Sequence, residues 1–135
     1  DVELDVQVED ASVRLRVWRY DIVGSGGWVV PVFFLDSLHP DNGETARELT
    51  GRLYGGDSRY RLAQEIILGI GGLRLVDALR LGEPSTFHLN EGHAALLPLG
   101  LVDRHLRAHP GASLEEAAVA AKGRCIFTTH TPVHA

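Results

Sequence analysis

Two short segments carry most of the residues that could do chemistry, residues 87–93 and residues 127–132. Each starts with apolar residues and changes abruptly to small, hydrogen-bonding ones, as a buried parallel strand does where it ends at a ligand crevice. The candidate site residues at these two ends are Asn90, Glu91, His93, Thr129 and His130. Their amide, carboxylate, hydroxyl and imidazole groups form a mixture of donors and acceptors that suits the binding of sugar hydroxyls.

Each candidate also has a structural alternative. Asn90 could simply cap a helix, and Glu91 could be a carboxylate favoured by the helix dipole. His93 and His130 could be ordinary loop residues with satisfied hydrogen bonds. The interpretation as a sugar site therefore depends on whether the two segments converge.

The elements around the segments predict that they do converge. Residues 85–89 form a short strand, and a helix opens at Asn90 or Glu91 and runs to about Ala108. Ser113 and Glu116 form a capping box that starts a second helix, which is followed by a strand over residues 124–128. Because strands joined by such a connection are overwhelmingly parallel, both polar ends should lie at the same carboxyl edge of one sheet.

The first third of the chain is rich in β-structure. Residues 2–8 and 12–20 alternate between apolar and polar positions and predict a hairpin. Residues 24–27 are rich in glycine, but a strand over residues 28–35 follows them, and no Gly-Lys-Ser/Thr sequence closes the loop. A phosphate-binding loop is therefore excluded, and a flexible connection between strands is expected. Residues 44–52 predict a short helix.

A long helix should extend from Ser58 to about Arg80, with Asp57 as its N-cap. Three glycines weaken this helix, and the close approach of a neighbouring element is the expected compensation for Gly69, Gly71 and Gly72. Apolar residues at helical spacing predict its buried face. They are Leu62, Ile66, Ile67, Ile70, Leu73, Val76 and Leu79.

Composition excludes several classes of protein. The 135 residues are 44% hydrophobic and 23% charged, which is typical of one globular domain. A net charge of -5 and a single lysine, Lys122, argue against nucleic acid as a partner. The lone Cys125 is expected to be a buried core residue in a reducing compartment. With no apolar run of about 20 residues and no signal segment, a cytoplasmic protein without a membrane partner is expected.

A metal site is the alternative chemistry, because His88, His93, His130 and His134 crowd the predicted edge. His130 and His134 have the spacing of a helical pair of zinc ligands. Pro132 lies between them and argues against the helix that would present both to one metal ion. We therefore expect no metal site.

The chain begins in a predicted strand, contains no methionine and stops just after a site-like segment. It is therefore expected to be a piece of a longer protein. Strand edges left open by truncation would favour pairing between copies, so a homo-oligomer is also expected as a possibility.

Four motifs resemble the bacterial branch of the α-glucan (glycogen and maltodextrin) phosphorylases. They are residues 53–57 (LYGGD), 61–72 (RLAQEIILGIGG), 87–93 (FHLNEGH) and 127–133 (FTTHTPV). The resemblance implies an α/β fold, in which residues 1–135 are part of the Rossmann-like (GT-B type) N-terminal domain of a two-domain glycosyltransferase. A β-rich hairpin region would precede the strand-helix-helix-strand unit (βααβ).

Phosphorylases of this family transfer a terminal glucosyl unit from an α-1,4-glucan to inorganic phosphate and release glucose 1-phosphate. The phosphate of pyridoxal phosphate serves as the acid-base catalyst. The resemblance implies that His130 binds the 6-hydroxyl of the sugar, while its backbone carbonyl stabilises positive charge at the anomeric carbon. Asn90, Glu91, His93 and Thr129 would support the same sugar site.

The sequence departs from the family pattern in two places. The loop after the Leu-Tyr motif is shorter than in better-known members and lacks the asparagine that contacts the sugar there, since Asp57 is followed almost at once by Arg59 and Arg61. That contact is not carried over, and Asp57 is the substrate-binding residue expected from this segment. The lysine that binds pyridoxal phosphate belongs to the missing C-terminal domain, and Lys122 does not replace it. The fragment alone should be inactive. Two alternatives stay open: a sugar-binding or regulatory module without chemistry, and part of a nucleotide-sugar glycosyltransferase of the same architecture.

Overall fold

The computed structural model of the chain describes residues 2–53 and 55–129. Its first part is a three-stranded antiparallel sheet with the order β1-β2-β3, in which β1 is Glu3–Val8, β2 is Ala11–Val23 and β3 is Val29–Asp36. The predicted hairpin and the third strand are confirmed. The glycine-rich segment forms the turn between β2 and β3, where the backbone N–H of Gly24 donates to the carbonyl of Trp28 at 2.8 Å.

Polar side chains hold the loop that follows β3, and one of them, Asn42, is buried. The side-chain amide of Asn42 accepts a hydrogen bond from the backbone N–H of Arg14 at 2.8 Å and donates one to its carbonyl at 2.7 Å. The hydroxyl of Thr50 accepts from the backbone N–H of Ser37 at 2.9 Å. This bond ties residue 50 to the end of β3, and α1 covers only Glu44–Arg47 instead of the predicted residues 44–52.

The long helix is present from Ser58 to Ala78, but it consists of three parts. They are α2 (Ser58–Ile66), a π-helical turn (Ile67–Gly71) and α3 (Gly72–Ala78). Asp57 is the N-cap, as predicted, and its carboxylate accepts from the backbone N–H of Tyr60 at 2.9 Å.

The buried face of this helix differs from the prediction at two leucines. Leu62 is 48% exposed, whereas Leu75, which was not predicted, is buried. In α2 and at the start of the π-turn, the buried face is centred on Ala63 and Ile67. Leu62 lies about 100° around the helix from Ala63 and so faces solvent.

The predicted close approach is confirmed at two of the three glycines. A Cβ atom on Gly69 would lie 2.8 Å from the backbone nitrogen of Leu97. A Cβ atom on Gly71 would lie 3.3 Å from each of three side chains, those of Leu15, Leu35 and Val6. The prediction is wrong for Gly72, where a Cβ would meet nothing within 4 Å.

The second part of the chain is the predicted strand-helix-helix-strand unit. Strands β4 (Phe87–Asn90) and β5 (Cys125–Thr128) pair in parallel, as predicted. A 3-10 helix (Glu91–Ala94), α4 (Leu97–Ala108) and α5 (Leu114–Lys122) connect them. The long helix contributes apolar side chains to two clusters of buried residues. One lies against the antiparallel sheet and includes Val6, Leu15, Ile67 and Leu75, and the other surrounds β4 and includes Leu73, Leu89, Leu97 and Leu101.

The predicted capping box at the start of α5 is confirmed. The hydroxyl of Ser113 accepts from the backbone N–H of Glu116 at 3.1 Å, and the Glu116 carboxylate accepts from the backbone N–H of Ser113 at 2.7 Å. The hydrogen bonds that the Glu116 carboxylate accepts from the backbone N–H of Ser113 and from its hydroxyl hold the pKa of Glu116 below its ordinary value of 4.5. The charged form of Glu116 therefore stabilises the fold above that value, and this contribution is lost as the pH falls through the lower pKa of the folded state.

Ser113→Ala should destabilise the chain by about 1 kcal/mol, the usual effect of removing an N-cap hydroxyl. Urea unfolding of the 135-residue chain at pH 7 measures the change. Ser85→Ala, in the exposed loop before β4, is the matched control and should leave the unfolding midpoint in place. Equal effects of the two substitutions would contradict the role of the cap.

Candidate functional site

The carboxyl ends of β4 and β5 lie side by side. Asn90 and Thr128 are the last residue pair of the parallel ladder, so Glu91 and Thr129 leave the sheet at the same edge. The predicted convergence is thereby confirmed for these residues. His130 and His134 lie outside the described residues.

The two faces of β4 differ in burial. Phe87 and Leu89 are buried, while His88 and Asn90 are exposed. The Nε2 atom of His88 lies 2.6 Å from the hydroxyl oxygen of Thr128, so a hydrogen bond joins the two strands beside the candidate site. His88 was considered above as a metal ligand. Over residues 2–53 and 55–129, no group of three His, Cys, Asp or Glu side chains is arranged to hold a metal ion.

Glu91 has a backbone φ of 57°, in the left-handed region that residues with a side chain rarely adopt. Such a conformation costs on the order of 1 kcal/mol and is concentrated at functional sites. It turns the chain directly from β4 into the 3-10 helix, which Glu91 begins and in which His93 is the third residue. The sequence prediction placed Glu91 at a helix start but missed this turn. The glycine at position 92 was the available signal of irregular backbone.

His93 is half-buried and lines a cleft of about 300 Å³. Residues of β3, of the loop after α1, of α2 and of the π-turn also line it. Of the five candidates that the structure describes, which are Asp57, Asn90, Glu91, His93 and Thr129, only His93 lines this cleft. The sheet edge and the cleft are therefore adjacent features connected by the 3-10 helix.

Three polar residues of α2 also line the cleft, namely Arg61, Gln64 and Glu65. The side-chain amide of Gln64 donates to the backbone carbonyls of Leu49 and Arg52, both at 2.8 Å, and so holds the neighbouring loop against α2. Arg61 and Glu65 were not predicted as site residues. Their i, i+4 spacing, which places both on one face of the helix, was the signal in the sequence.

Asp57 has a structural role as the N-cap of α2 and lines a different cleft, together with Glu9 and Arg59. Its assignment to the sugar site stays a prediction. Cys125 is half-buried and packs against the apolar cluster around β4. Burial raises the pKa of its thiol, while the Arg124 guanidinium acts in the opposite direction. A thiol with a raised pKa is a poor nucleophile. The prediction of a buried core residue is met only in part, because Cys125 is half-buried at the border of the cluster.

Among the described residues, no helix is both long and apolar enough to cross a membrane. No protein-family model matches the chain, and no solved structure matches it. Curated relatives do match it. The glycogen phosphorylase of Mycobacterium tuberculosis is 40% identical over 131 residues, which are 94% of this chain and 14% of that protein.

The chain is a fragment-length homologue of the glycogen and maltodextrin phosphorylases. The maltodextrin phosphorylase of Thermococcus litoralis is 36% identical over 132 residues, covering 98% of this phosphorylase homologue and 15% of the relative. The glycogen phosphorylase of Aquifex aeolicus is 30% identical over 128 residues, which are 95% of this chain and 17% of that protein. The homologue thus spans about one seventh of the length of the first two relatives.

The phosphorylase homologue does not contain a suitable attachment site for pyridoxal phosphate. Its single lysine, Lys122, is exposed in the last turn of α5. A lysine that forms a Schiff base needs a desolvating pocket or a neighbouring cation to lower its pKa. The residues of this chain therefore do not fit covalent binding of the cofactor.

Proposed function

We propose that this chain supplies one wall of the glucosyl subsite of an α-1,4-glucan phosphorylase, within a Rossmann-like N-terminal domain. The parent enzyme would transfer the terminal glucosyl unit of glycogen or maltodextrin to inorganic phosphate and release glucose 1-phosphate in the cytoplasm. The parallel pairing of β4 with β5 is the observation that carries the proposal. It brings Asn90 and Glu91 to the same edge as Thr128 and Thr129, in a chain homologous to phosphorylases.

Asn90, Glu91, His93 and Thr129 are proposed to bind and orient the sugar. Their amide, carboxylate, imidazole and hydroxyl groups can donate to and accept from sugar hydroxyls in pairs. The left-handed backbone of Glu91 supports this role, because strain of this kind is concentrated at functional sites. His130 follows two residues after Thr128 and is proposed as the catalytic residue, through electrostatic stabilisation rather than nucleophilic attack.

The chain alone should be inactive. The lysine for pyridoxal phosphate and the basic residues that bind inorganic phosphate are proposed to lie in the part of the parent enzyme outside this chain. The exposed position of Lys122 supports this proposal.

The test is made on the parent protein, expressed from its full reading frame. We expect the absorbance of bound pyridoxal phosphate, together with release of glucose 1-phosphate from maltodextrin that depends on added inorganic phosphate. Omission of phosphate is the control for hydrolysis. Absence of both cofactor and phosphorolysis would contradict the proposal. Transfer of glucose from a nucleotide sugar would then identify a glycosyltransferase, and maltodextrin binding without turnover would identify a sugar-binding module.

A further inference from the structure

Strands β2 and β3 extend well beyond β1. The pairing of β1 with β2 stops at Glu3 opposite Arg16, whereas β2 and β3 remain paired from there to Val23 opposite Val29. We call the outer part, residues 17–23 and 29–35, the ribbon. A two-stranded ribbon is marginally stable in water unless another element packs on it. One side of its inner end packs on this chain's own apolar cluster through Val17, Phe33 and Leu35. The rest of the ribbon needs another partner.

The inner part of β2 has an ordinary division of faces. Val13 and Leu15 point into the apolar cluster and are fully buried. Arg14 and Arg16, on the opposite face, make polar contacts, for example the ion pair of Arg14 with Asp5. Up to this point, the core of this chain lies on the side of the odd-numbered residues.

The division of faces changes along the ribbon. At its inner end, the odd-numbered side still carries Val17, which packs with Phe33 and Leu35 against this chain's own apolar cluster. Farther along β2 the pattern differs. The odd-numbered side now carries Arg19 and Asp21, which form an ion pair at 2.7 Å. The even-numbered side carries Trp18, Tyr20 and Ile22. The ladder pairs every residue from 16 to 23 without interruption, so no bulge exchanges the two sides. The exposed apolar residues on the even-numbered side are thus opposite to the side that faces this chain's own core.

The even-numbered side continues onto β3, because Phe34 pairs with Trp18 and Val30 pairs with Ile22. We call these residues, with Tyr20 and Val32, the apolar face. Trp18, Tyr20 and Phe34 are 56%, 64% and 54% exposed. With large aromatic rings that are half open, the apolar face offers on the order of 500 Å² to a partner. Patches of this size mark interaction surfaces.

We propose that the apolar face is a docking surface for the remaining polypeptide of the parent phosphorylase, outside residues 1–135. The 14% and 15% coverage of the two first relatives means that most of such a parent lies outside this chain. That polypeptide is covalently linked, so its effective concentration at the face exceeds that of a second copy. Interfaces within one chain bury about 600–1,500 Å² in total, which fits a face of this size. The covering element packs on the side of the sheet opposite the apolar cluster of Val6 and Leu15.

Thiol labelling of the native parent tests this inference. Ile22→Cys places a thiol on the apolar face, and Asp21→Cys places one on the opposite side of the same strand. Any local opening of the ribbon would expose both introduced thiols. A difference between their rates of modification therefore reports that one face is covered. We expect iodoacetamide to modify Ile22→Cys at least roughly 10-fold more slowly than Asp21→Cys, as a buried position requires, when the labelled peptides are quantified by mass spectrometry. As a control, the two variants should be modified at equal rates after unfolding in urea, because the two thiols are then equally exposed.

Equal rates in the native parent would overturn the inference. Protection that disappears when the protein is diluted to its monomeric form would also overturn it, because a second copy would then cover the face. Hydroxyl-radical footprinting of the unmodified parent needs no variant and gives an independent answer. Trp18 should be oxidised more slowly than Trp28, which is 83% exposed in the turn at the end of the ribbon. Neither experiment depends on catalytic activity, so its failure is distinguishable from failure of the proposed function.

Discussion

His130→Ala in the parent enzyme should lower kcat for maltodextrin phosphorolysis by about 10²–10³-fold, the usual effect of removing one preorganised group that stabilises transition-state charge. The expectation depends on the position of His130, two residues after Thr128. Thr128 is paired with Asn90 at the carboxyl edge of the parallel strands, so the chain leaves the sheet beside the other candidate residues. Initial rates of glucose 1-phosphate release at saturating phosphate measure the effect.

Lys122→Ala is the matched control. Lys122 is exposed in the last turn of α5, and its loss should leave both kcat and the cofactor content unchanged. His130→Ala should also retain bound pyridoxal phosphate, since the cofactor is proposed to be held elsewhere in the parent. The assignment of His130 as the catalytic residue would be contradicted if His130→Ala kept more than about a third of the wild-type kcat, or if its kcat fell no more than that of Lys122→Ala.

Gly69→Ala should destabilise the chain by about 1–3 kcal/mol, which is typical of overpacking. The added Cβ would lie 2.8 Å from the backbone nitrogen of Leu97 and 3.2 Å from the backbone carbon of Leu96. These atoms belong to the start of α4 and cannot move aside as a flexible side chain would. The π-turn that contains Gly69 also lies between the two apolar clusters, so a shift would disturb both. Urea unfolding of the 135-residue chain measures the loss.

Gly72→Ala is the control within the same helix. Its Cβ would meet nothing within 4 Å, and its backbone is helical with φ -60° and ψ -41°. We expect the free energy of unfolding to rise by about 0.5–1 kcal/mol, the difference in helix propensity between glycine and alanine. Equal changes for the two substitutions would show that close packing at Gly69 does not limit stability.

Local signals predicted most of the element boundaries correctly. The capping box at Ser113 and the N-cap at Asp57 mark helix starts through hydrogen bonds within a few residues. The hairpin of β1 and β2 follows from the alternation of apolar residues around a tight turn. Each of these features depends on residues that are close in the sequence, which is why the sequence alone could predict them.

The misses discussed next involve contacts between distant segments. The helix at residue 44 stops early where Thr50 bonds to Ser37 at the end of β3. Leu62 is exposed because the sheet packs against Ala63 and Ile67 instead. The strand predicted over residues 12–20 in fact continues to Val23, and only the register of β2 with β3 revealed that Trp18, Tyr20 and Ile22 face away from the core.

The sequence by itself determined the elements, the parallel strand-helix-helix-strand unit and the segments in which site residues are proposed. Short-range hydrogen bonding and the period of apolar residues are sufficient for that. Only the tertiary structure decided that His93 enters a cleft with Arg61 and Glu65, and that Glu91 turns the chain through a left-handed conformation. Both depend on how α2, β3 and the end of β4 pack together, and packing between distant elements has no periodic signal in the sequence.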